Sequence, residues 1–326
     1  VMTVKNLSLA ISTASILAVV GFFSPAYSAG KNLTVVLSEE PDIVDPCEAT
    51  RSNVGRIVKQ NVSETLVEID PKDGSIRARL ATGWKQTDNL TWHFDIRTGV
   101  KFHDGEDLNA KSVVKSIQRA LNPKYDCEIR TKFFGNMSVS ASAIGSHTVA
   151  IKTKKPQPIM PALMGTMTIV SPNTQEAKGV RNPQGTGPYV FGTWTPGQSV
   201  SLKRFAGYWG DKPVVENVKY VFRKESAVRA AMVKTGEADI APNIAVQDAT
   251  DSKMDFSYFN SETARLRIDM SRKPLDDIRV RKAMNLAVDL DALRGTIFAK
   301  GVVKQTQIVV PSINGHNPRL KPWPYN

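Results

Sequence analysis

Residues 91–121 read TWHFDIRTGVKFHDGEDLNAKSVVKSIQRAL, and this stretch contains both of the periodicities that decide the fold. Apolar and polar residues alternate from Trp92 to Arg97, and a period of two predicts a half-buried strand. Val100 and Phe102 continue the alternation, which predicts a second short strand. The dipeptide Asp104-Gly105 then predicts a turn, because glycine adopts positive φ without a steric penalty.

The second half of the stretch changes to a helical period. Val113, Val114 and Ile117 recur on one face, which predicts an amphipathic helix over Ala110–Leu121. Asn109 is a suitable N-cap, and Pro123 prevents the helix from continuing. The stretch therefore predicts two strands followed by a helix.

The same two periods predict elements elsewhere in the chain, and proline-rich or polar segments separate them. Strands are expected over Leu33–Leu37, Thr148–Thr153, Ser199–Arg204, Val218–Phe222 and Arg265–Met270. Helices are expected from Asn53 to Leu66, from Ser226 to Val233, and after an Asp277 cap. This succession of strands and helices predicts an α/β protein.

Length and composition narrow the class of protein. The chain has 326 residues, 41% of them apolar and 23% charged, which predicts a globular protein of two domains. The formal net charge is +12. Nucleic-acid binding favours clustered Lys and Arg with stacking aromatics, whereas the basic residues here are spread along the chain among acidic ones. We therefore expect no nucleic-acid partner.

The first residues are typical of an export signal. Lys5 precedes a mostly apolar run from Leu7 to Phe23, and Ala26-Tyr27-Ser28 has small residues where a signal peptidase requires them. We expect a signal peptide over 1–28, with the mature protein beginning at Ala29. The alternative is an uncleaved anchor, but the run is short and diluted by Ser and Thr. The residue directly after the cleavage point is Ala29 and not cysteine, so a lipid anchor is not indicated.

Export affects the interpretation of the two cysteines. In an oxidising compartment Cys47 and Cys127 are expected to form a disulfide, and two unpaired buried thiols are the alternative. A metal site is not expected, because the two cysteines and four histidines show no ligand spacing.

No catalytic pattern stands out. The chain lacks a Gly-x-Ser-x-Gly elbow and a His-Glu-x-x-His motif, and His103 is expected to be an ordinary turn or surface residue. Gly185–Tyr189, GTGPY, has the wrong spacing for a phosphate-binding loop and predicts a glycine turn into a strand. We expect no enzymatic activity and no cofactor.

Four blocks of sequence, in order, resemble family 5 of the bacterial extracellular solute-binding proteins. These are the oligopeptide-, dipeptide- and nickel-binding receptors of ABC importers. The first block is Thr65–Glu68 with Asp73-Gly74 and Leu80–Trp84, and the second is Arg97–Gly105 with Leu108–Arg119. The third block is Gly185–Tyr189 with Trp194, Pro196-Gly197 and Tyr208–Gly210. The fourth block is Pro274–Asp277 with Val280–Asp289, and the segments Arg229–Met232 and Gly236–Ile240 lead to it.

The resemblance implies a two-lobed α/β fold of the periplasmic-binding-protein type II class. The first lobe would take its core from 29–66 and 185–262, with 67–184 as an extra inserted subdomain. Residues 263–326 would form the start of the second lobe. That lobe would be incomplete, because the sequences of family members continue beyond the position of Asn326. The resemblance also implies that 29–326 alone binds ligand weakly.

The implied function is a periplasmic receptor that captures peptides in a cleft between the lobes and delivers them to the ABC permease. A monomer is expected. The same fold binding a nickel complex, an opine or a sugar is one alternative, and a secreted hydrolase on a similar scaffold is another. Approximate position in the family pattern suggests ligand contacts in the loop Glu39, Glu40, Pro41 and Asp42, and at Arg130, Phe133 and Phe134. A solvated loop is the alternative for each.

Overall fold

The computed structural model describes residues 31–256, 263–311, 313 and 315–326. The expected signal peptide over 1–28 and its cleavage point lie outside these residues. None of the helices in the described part has both the length and the hydropathy that are needed to cross a bilayer.

Ten strands and five α-helices lie within the described residues. The strands are β1 (Asn32–Leu37), β2 (Val67–Ile69), β3 (Ile76–Ala78), β4 (Ala81–Asp88), β5 (Thr91–Ile96), β6 (Val139–Ile144), β7 (Thr148–Thr153), β8 (Tyr189–Thr195), β9 (Ser199–Arg204) and β10 (Asn217–Phe222). The helices are α1 (Ser52–Val58), α2 (Ala110–Leu121), α3 (Met160–Met164), α4 (Ser226–Thr235) and α5 (Ile278–Leu286).

The first sheet has the strand order β1-β10-β9-β8. β1 runs parallel to β10, with Val35 opposite Tyr220, and the other pairs are antiparallel. Helix α1 packs on one face of this sheet, where Val54 and Ile57 join a hydrophobic cluster with Leu37 and Leu202. This packing buries the apolar stripe of α1, and it fixes the loop that connects β1 to the helix.

The second sheet is antiparallel, in the order β4-β5-β7-β6. Phe94 of β5 is fully buried and belongs to a second hydrophobic cluster with Val113 and Ile117 of α2. Asn109 caps α2 as predicted: its side chain accepts from Ser112 N at 3.0 Å, while Ser112 Oγ accepts from Asn109 N at 2.9 Å. The helix Ala110–Leu121 has the predicted bounds, and the strand expected over Trp92–Arg97 is present as Thr91–Ile96.

Three predicted elements are wrong in extent or type. Val100 and Phe102 are buried but form no strand, because the chain closes into a tight loop in which Phe102 N donates to Glu106 O. The helix expected to reach Leu66 ends at Val58, two residues before Gln60 adopts a left-handed φ of 62°. The range 265–270 is not a strand among the described residues, and its Leu266 is 82% exposed.

Two further predictions need correction. Strand β6 was not expected, because its sequence VSASAI is dominated by small residues that give little apolar signal. Ser226 was expected to cap a helix that ends at Val233, but α4 continues to Thr235 and Glu225 is its N-cap. The Ser226 hydroxyl instead accepts a hydrogen bond from Ala245 N at 2.8 Å.

Helix α5 follows its predicted cap. Asp277 accepts a hydrogen bond from Arg279 N at 2.8 Å, as an N-cap residue should. The helix has no buried residue among the described contacts, and Ile278 is 57% exposed. Its apolar face is therefore largely open in the described part of the chain.

Candidate functional site

The loop after β1 contains the first group of predicted ligand residues. Pro41 is buried, whereas Glu40 uses both of its carboxylate oxygens within the protein. One oxygen accepts from Trp194 Nε1 at 2.6 Å and the other from Gly197 N at 2.8 Å. Glu40 therefore anchors the loop to the β8–β9 hairpin, and its carboxylate is already satisfied.

The other two acidic residues of this loop differ in their engagement. The carboxylate of Asp42 pairs with Arg51 at 3.2 Å, although its side chain is 81% exposed. Glu39 is exposed, and its backbone carbonyl accepts from Asn53 Nδ2 at 3.0 Å. Of the three carboxylates, that of Glu39 makes no hydrogen bond or ion pair within the described residues.

The second group of predicted residues lies on a single π-helical turn, Arg130–Phe134. Phe134 is only 3% exposed and belongs to the same hydrophobic cluster as α2, so it fills the core. Phe133 is 39% exposed and faces solvent. The Arg130 side chain is half-buried and donates a hydrogen bond to Tyr125 O at 3.2 Å. Of this group, Phe133 is the residue most available to a ligand.

A disulfide brings the segments of these two groups together. Cys47 and Cys127 are joined with their Cα atoms 5.2 Å apart, and both residues are buried. This confirms the pairing expected from the sequence. Glu128 N also donates to Glu48 Oε1 at 3.3 Å, and the Thr50 hydroxyl contacts the Glu128 carboxylate. The loop after β1 and the turn at Arg130–Phe134 thus lie on adjacent, cross-linked segments.

An ion pair that the sequence did not reveal lies beneath this surface. Arg119 Nη2 lies 2.7 Å from Asp45 Oδ2, with the two side chains 4% and 0% exposed. Asp45 also accepts from Cys47 N and Val180 N, each at 2.8 Å. Burial acts to lower the pKa of Arg119, but its hydrogen bonds and charge contact with Asp45 outweigh burial and the pKa is raised.

Arg119 also holds the polar connector that leads to β8. Its guanidinium donates to Gln175 O at 2.6 Å and to Lys178 O at 3.0 Å. Arg181, further along the connector, stacks on the Trp194 ring at 4.7 Å and donates to Asp42 O at 3.4 Å. The connector therefore lies against the loop after β1, and Arg181 joins the predicted ligand surface although sequence reasoning did not select it.

The glycines of GTGPY serve close packing. A Cβ on Gly185 would lie 2.0 Å from Val62 O, and one on Gly187 would lie 2.3 Å from Asn61 O. Both contacts are with backbone, so only glycine fits. The sequence prediction of a turn into a strand is confirmed by β8, which begins at Tyr189.

Several residues of the family-like blocks converge on the fully buried Glu64. Its oxygens lie 2.7 Å from Arg79 Nη2 and 3.1 Å from Tyr208 OH on one side. On the other side they lie 2.9 Å from Thr186 Oγ1 and 2.8 Å from Trp209 Nε1. A buried carboxylate with four partners is stable where it lies, so these blocks maintain the scaffold.

His103 is more involved in packing than the sequence suggested. Its Nε2 lies 2.9 Å from Gly187 O, and its ring packs edge-on against Phe205 at 4.9 Å. Burial lowers its pKa from the usual 6.5, so the neutral imidazole is favoured. His103 lies in a turn, as expected, and its contacts join the Asp104-Gly105 turn to the GTGPY segment.

Two cavities in the described part of the chain lie away from the predicted ligand residues. One of about 400 Å³ is lined by Val100, Asn109, Lys111 and His147 among others. The other, of about 190 Å³, is lined by residues 288–291, Lys304 and 322–325. The described residues contain no group of three or more His, Cys, Asp or Glu arranged to hold a metal ion.

Comparison with known proteins relates this arrangement to one family. The family model described as "Bacterial extracellular solute-binding proteins, family 5 Middle" matches residues 75–326. Among curated proteins, the glutathione-binding protein GsiB of Salmonella typhimurium is 30% identical over 310 residues. That alignment covers 91% of this chain and 60% of GsiB, so the chain spans less than two thirds of that relative's length.

Solved structures share the fold. The periplasmic binding protein DppA of Helicobacter pylori, in complex with the peptide STSA, superposes with a TM-score of 0.75 at 21% identity, over 90% of this chain and 64% of DppA. The binding protein AgaA of A. tumefaciens R10, in complex with agropinic acid, is 28% identical with a TM-score of 0.59, over 67% of this chain and 45% of AgaA. The α/β periplasmic-binding-protein fold predicted from the sequence is confirmed by these neighbours.

Proposed function

Because this chain belongs to family 5 of the bacterial extracellular solute-binding proteins, we propose that it is the substrate-binding component of an ABC importer and that it captures peptides. The ligand would lie in a cleft between two lobes and pass to the membrane permease. Members of the family are solute-binding proteins, and we propose that this chain has no enzymatic activity of its own.

One observation supports the ligand surface most directly. The disulfide between Cys47 and Cys127 places the loop at the carboxyl end of β1 beside the turn that presents Phe133. In open α/β sheets, ligands bind outside the carboxyl ends of the strands. We propose that Glu39 and Phe133 contact ligand, whereas Glu40, Pro41, Asp42, Arg130 and Phe134 shape the surface around them.

Peptide is the ligand class that the relatives favour. GsiB is named for glutathione, a tripeptide-like thiol, and DppA was solved with a tetrapeptide. A surface that reads peptide backbone tolerates many sequences, because every residue except proline offers the same N–H donor and C=O acceptor.

The proposed arrangement of the molecule follows the family. Residues 29–66 and 185–262 would form the first-lobe core, 67–184 its inserted subdomain, and 263–326 the start of the second lobe. Two hydrophobic clusters accord with this division: one draws on 35–62 and 189–220, and the other mainly on 66–169. We further propose export through a cleaved signal peptide, a periplasmic location and a monomeric state.

A second ligand class has its own support. AgaA, which is 28% identical to this chain, was solved with agropinic acid, so an opine is the strongest alternative to a peptide. A nickel complex and a sugar are the other candidates on the same fold. Each would use the same cleft, and each differs from a peptide in mass and charge.

Native mass spectrometry tests the proposal on the chain extended by the region of GsiB that lies beyond the alignment. The protein should retain peptides from the expression host, seen as a set of adducts that disappear on unfolding and fragment as peptides. A Glu39→Gln/Phe133→Ala variant should lose those adducts, whereas a Lys203→Gln control on the β9 strand should keep them. Adducts of an opine, a sugar or nickel, or conversion of an added peptide to products, would contradict the proposal.

A further inference from the structure

Arg181 has binding capacity that the protein itself does not use. Its guanidinium lies over the Trp194 ring, 4.7 Å from the centroid, and donates to Asp42 O at 3.4 Å. It makes no other hydrogen bond and no ion pair within residues 31–256, 263–311, 313 and 315–326. A guanidinium has five N–H donors in a fixed fork, so about four of them stay open.

The open guanidinium is held in place from two sides. Trp194 is fixed by its hydrogen bond to Glu40, at 2.6 Å, and Glu40 is fixed in turn by Gly197 N. Val180 precedes Arg181 and donates its N–H to the buried Asp45 at 2.8 Å. Because the ring and the backbone are both fixed, Arg181 loses little conformational freedom when it binds a partner.

The surrounding charges leave Arg181 available to an anion. The carboxylate of Asp42 already pairs with Arg51 at 3.2 Å, and both oxygens of Glu40 are occupied. Neither carboxylate forms an ion pair with the Arg181 guanidinium within the described residues. A planar carboxylate matches the guanidinium fork through two parallel charge-assisted hydrogen bonds.

We infer that Arg181 binds a carboxylate of the ligand, so that the protein prefers ligands with a free acid group over the same ligands in neutral form. This inference rests on the proposed function, because it places the ligand at the loop after β1. It gives the loop two chemically distinct contacts: the open carboxylate of Glu39 and the open guanidinium of Arg181.

Paired ligands test the preference. Calorimetry on the chain extended by the region of GsiB beyond the alignment, called the wild-type protein here, would compare Ala-Ala-Ala with Ala-Ala-Ala-amide, which differ only in the carboxylate. The wild-type protein should bind the acid at least about 10-fold more tightly. Arg181→Gln should bind the acid about 10-fold less tightly and leave the amide unchanged, and Arg181→Lys should retain part of the preference. Lys178→Gln, on the same connector and with the same charge change, should behave as wild type.

Two results of this experiment would overturn the inference. One is equal affinity of the wild-type protein for acid and amide. The other is an equal loss of both in Arg181→Gln, which would mean that the stack on Trp194 only supports the loop.

A second measurement separates this inference from the proposed function. The ¹⁵N-labelled protein would be titrated with sodium glutarate while the arginine Nε–H signals are followed, and the Arg181 signal is the one missing from Arg181→Gln. A saturable shift of that signal, larger than for the exposed Arg319, supports carboxylate binding even if no tripeptide binds. An unmoved Arg181 signal overturns the inference, whether or not peptides bind.

Discussion

Asp45 and Arg119 form an ion pair at 2.7 Å, and their side chains are 0% and 4% exposed. The pair connects four segments: the loop after β1, helix α2, the Tyr125 region and the connector before β8. The loop after β1 and the connector before β8, which flank the predicted ligand surface, are therefore held in place by the same buried ion pair.

Arg119→Met should destabilise the protein by about 3–5 kcal/mol, because it leaves the Asp45 carboxylate buried without its counter-charge. The control is Lys101→Met. Lys101 also pairs with an aspartate at 2.7 Å, but the two side chains are 55% and 69% exposed. An exposed pair contributes about 0–1 kcal/mol, so this variant should be nearly neutral. Urea unfolding followed by tryptophan fluorescence measures both, and equal losses would refute the role assigned to burial.

The disulfide should stabilise the cross-linked segments. Cys47 and Cys127 are 80 residues apart, and the chain-entropy relation gives about 4.5 kcal/mol for a loop of that length. Replacing both cysteines by alanine should therefore cost about 2–5 kcal/mol in urea unfolding. Peptide mapping without reductant should find a single linked pair. Two thiols that alkylate freely in the native exported protein would be inconsistent with the structure.

His103 should make stability depend on pH. Burial lowers its pKa below 6.5, so the unfolded chain takes up a proton at higher pH than the folded protein does. The contribution of His103 is thus present above pH ~6.5 and is lost as pH falls towards the lowered folded pKa. Urea midpoints at pH 7.5 and 5.5 should differ less in His103→Gln than in wild type. His147→Gln, in the turn between β6 and β7, is the matched histidine variant for comparison.

Gly185→Ala tests the packing of the GTGPY segment. The new Cβ would meet Val62 O at 2.0 Å, and a backbone oxygen cannot rotate away, so the loss should lie near the upper end of the ~1–3 kcal/mol typical of overpacking. Gly83→Ala is the control, because its Cβ would lie 3.7 Å from Asp95 Oδ2, an ordinary contact. If thermal unfolding shows the same small change for both, the close approach at Gly185 is not as described.

Sequence patterns predicted those strands and helices whose apolar periodicity and capping residues lie within one short stretch of the chain. The alternation that predicts β5 and the Asn109 cap that predicts α2 each lie within a few residues, and both elements are present within one residue of the predicted bounds. The end of α1 was missed because a left-handed residue at Gln60 has no clear sequence signal. The range 265–270 alternates like a strand, yet alternation alone cannot provide a neighbouring strand.

The candidate site was predicted less completely than the fold. Position in the family pattern selected the loop Glu39–Asp42 and the turn Arg130–Phe134 as ligand contacts, which stays a prediction, and it could not show that Glu40 and Phe134 are engaged internally. The pair Asp45–Arg119 joins residues 74 positions apart, and no local pattern connects them. Arg181 was not selected for the same reason, since its contacts are with Trp194 and Asp42, which no local sequence pattern connects to it.

Calorimetric titration with a pool of short peptides tests the proposed binding function most directly. It would compare the chain Ala29–Asn326 with the same chain extended by the region of GsiB that lies beyond the alignment, because the chain spans 60% of that relative. We expect saturable binding by the extended protein and weak or no binding by Ala29–Asn326, because enclosure between two lobes excludes water from the ligand. Equally tight binding by Ala29–Asn326, or no saturable binding by a folded extended protein, would contradict a peptide receptor with an inter-lobe cleft.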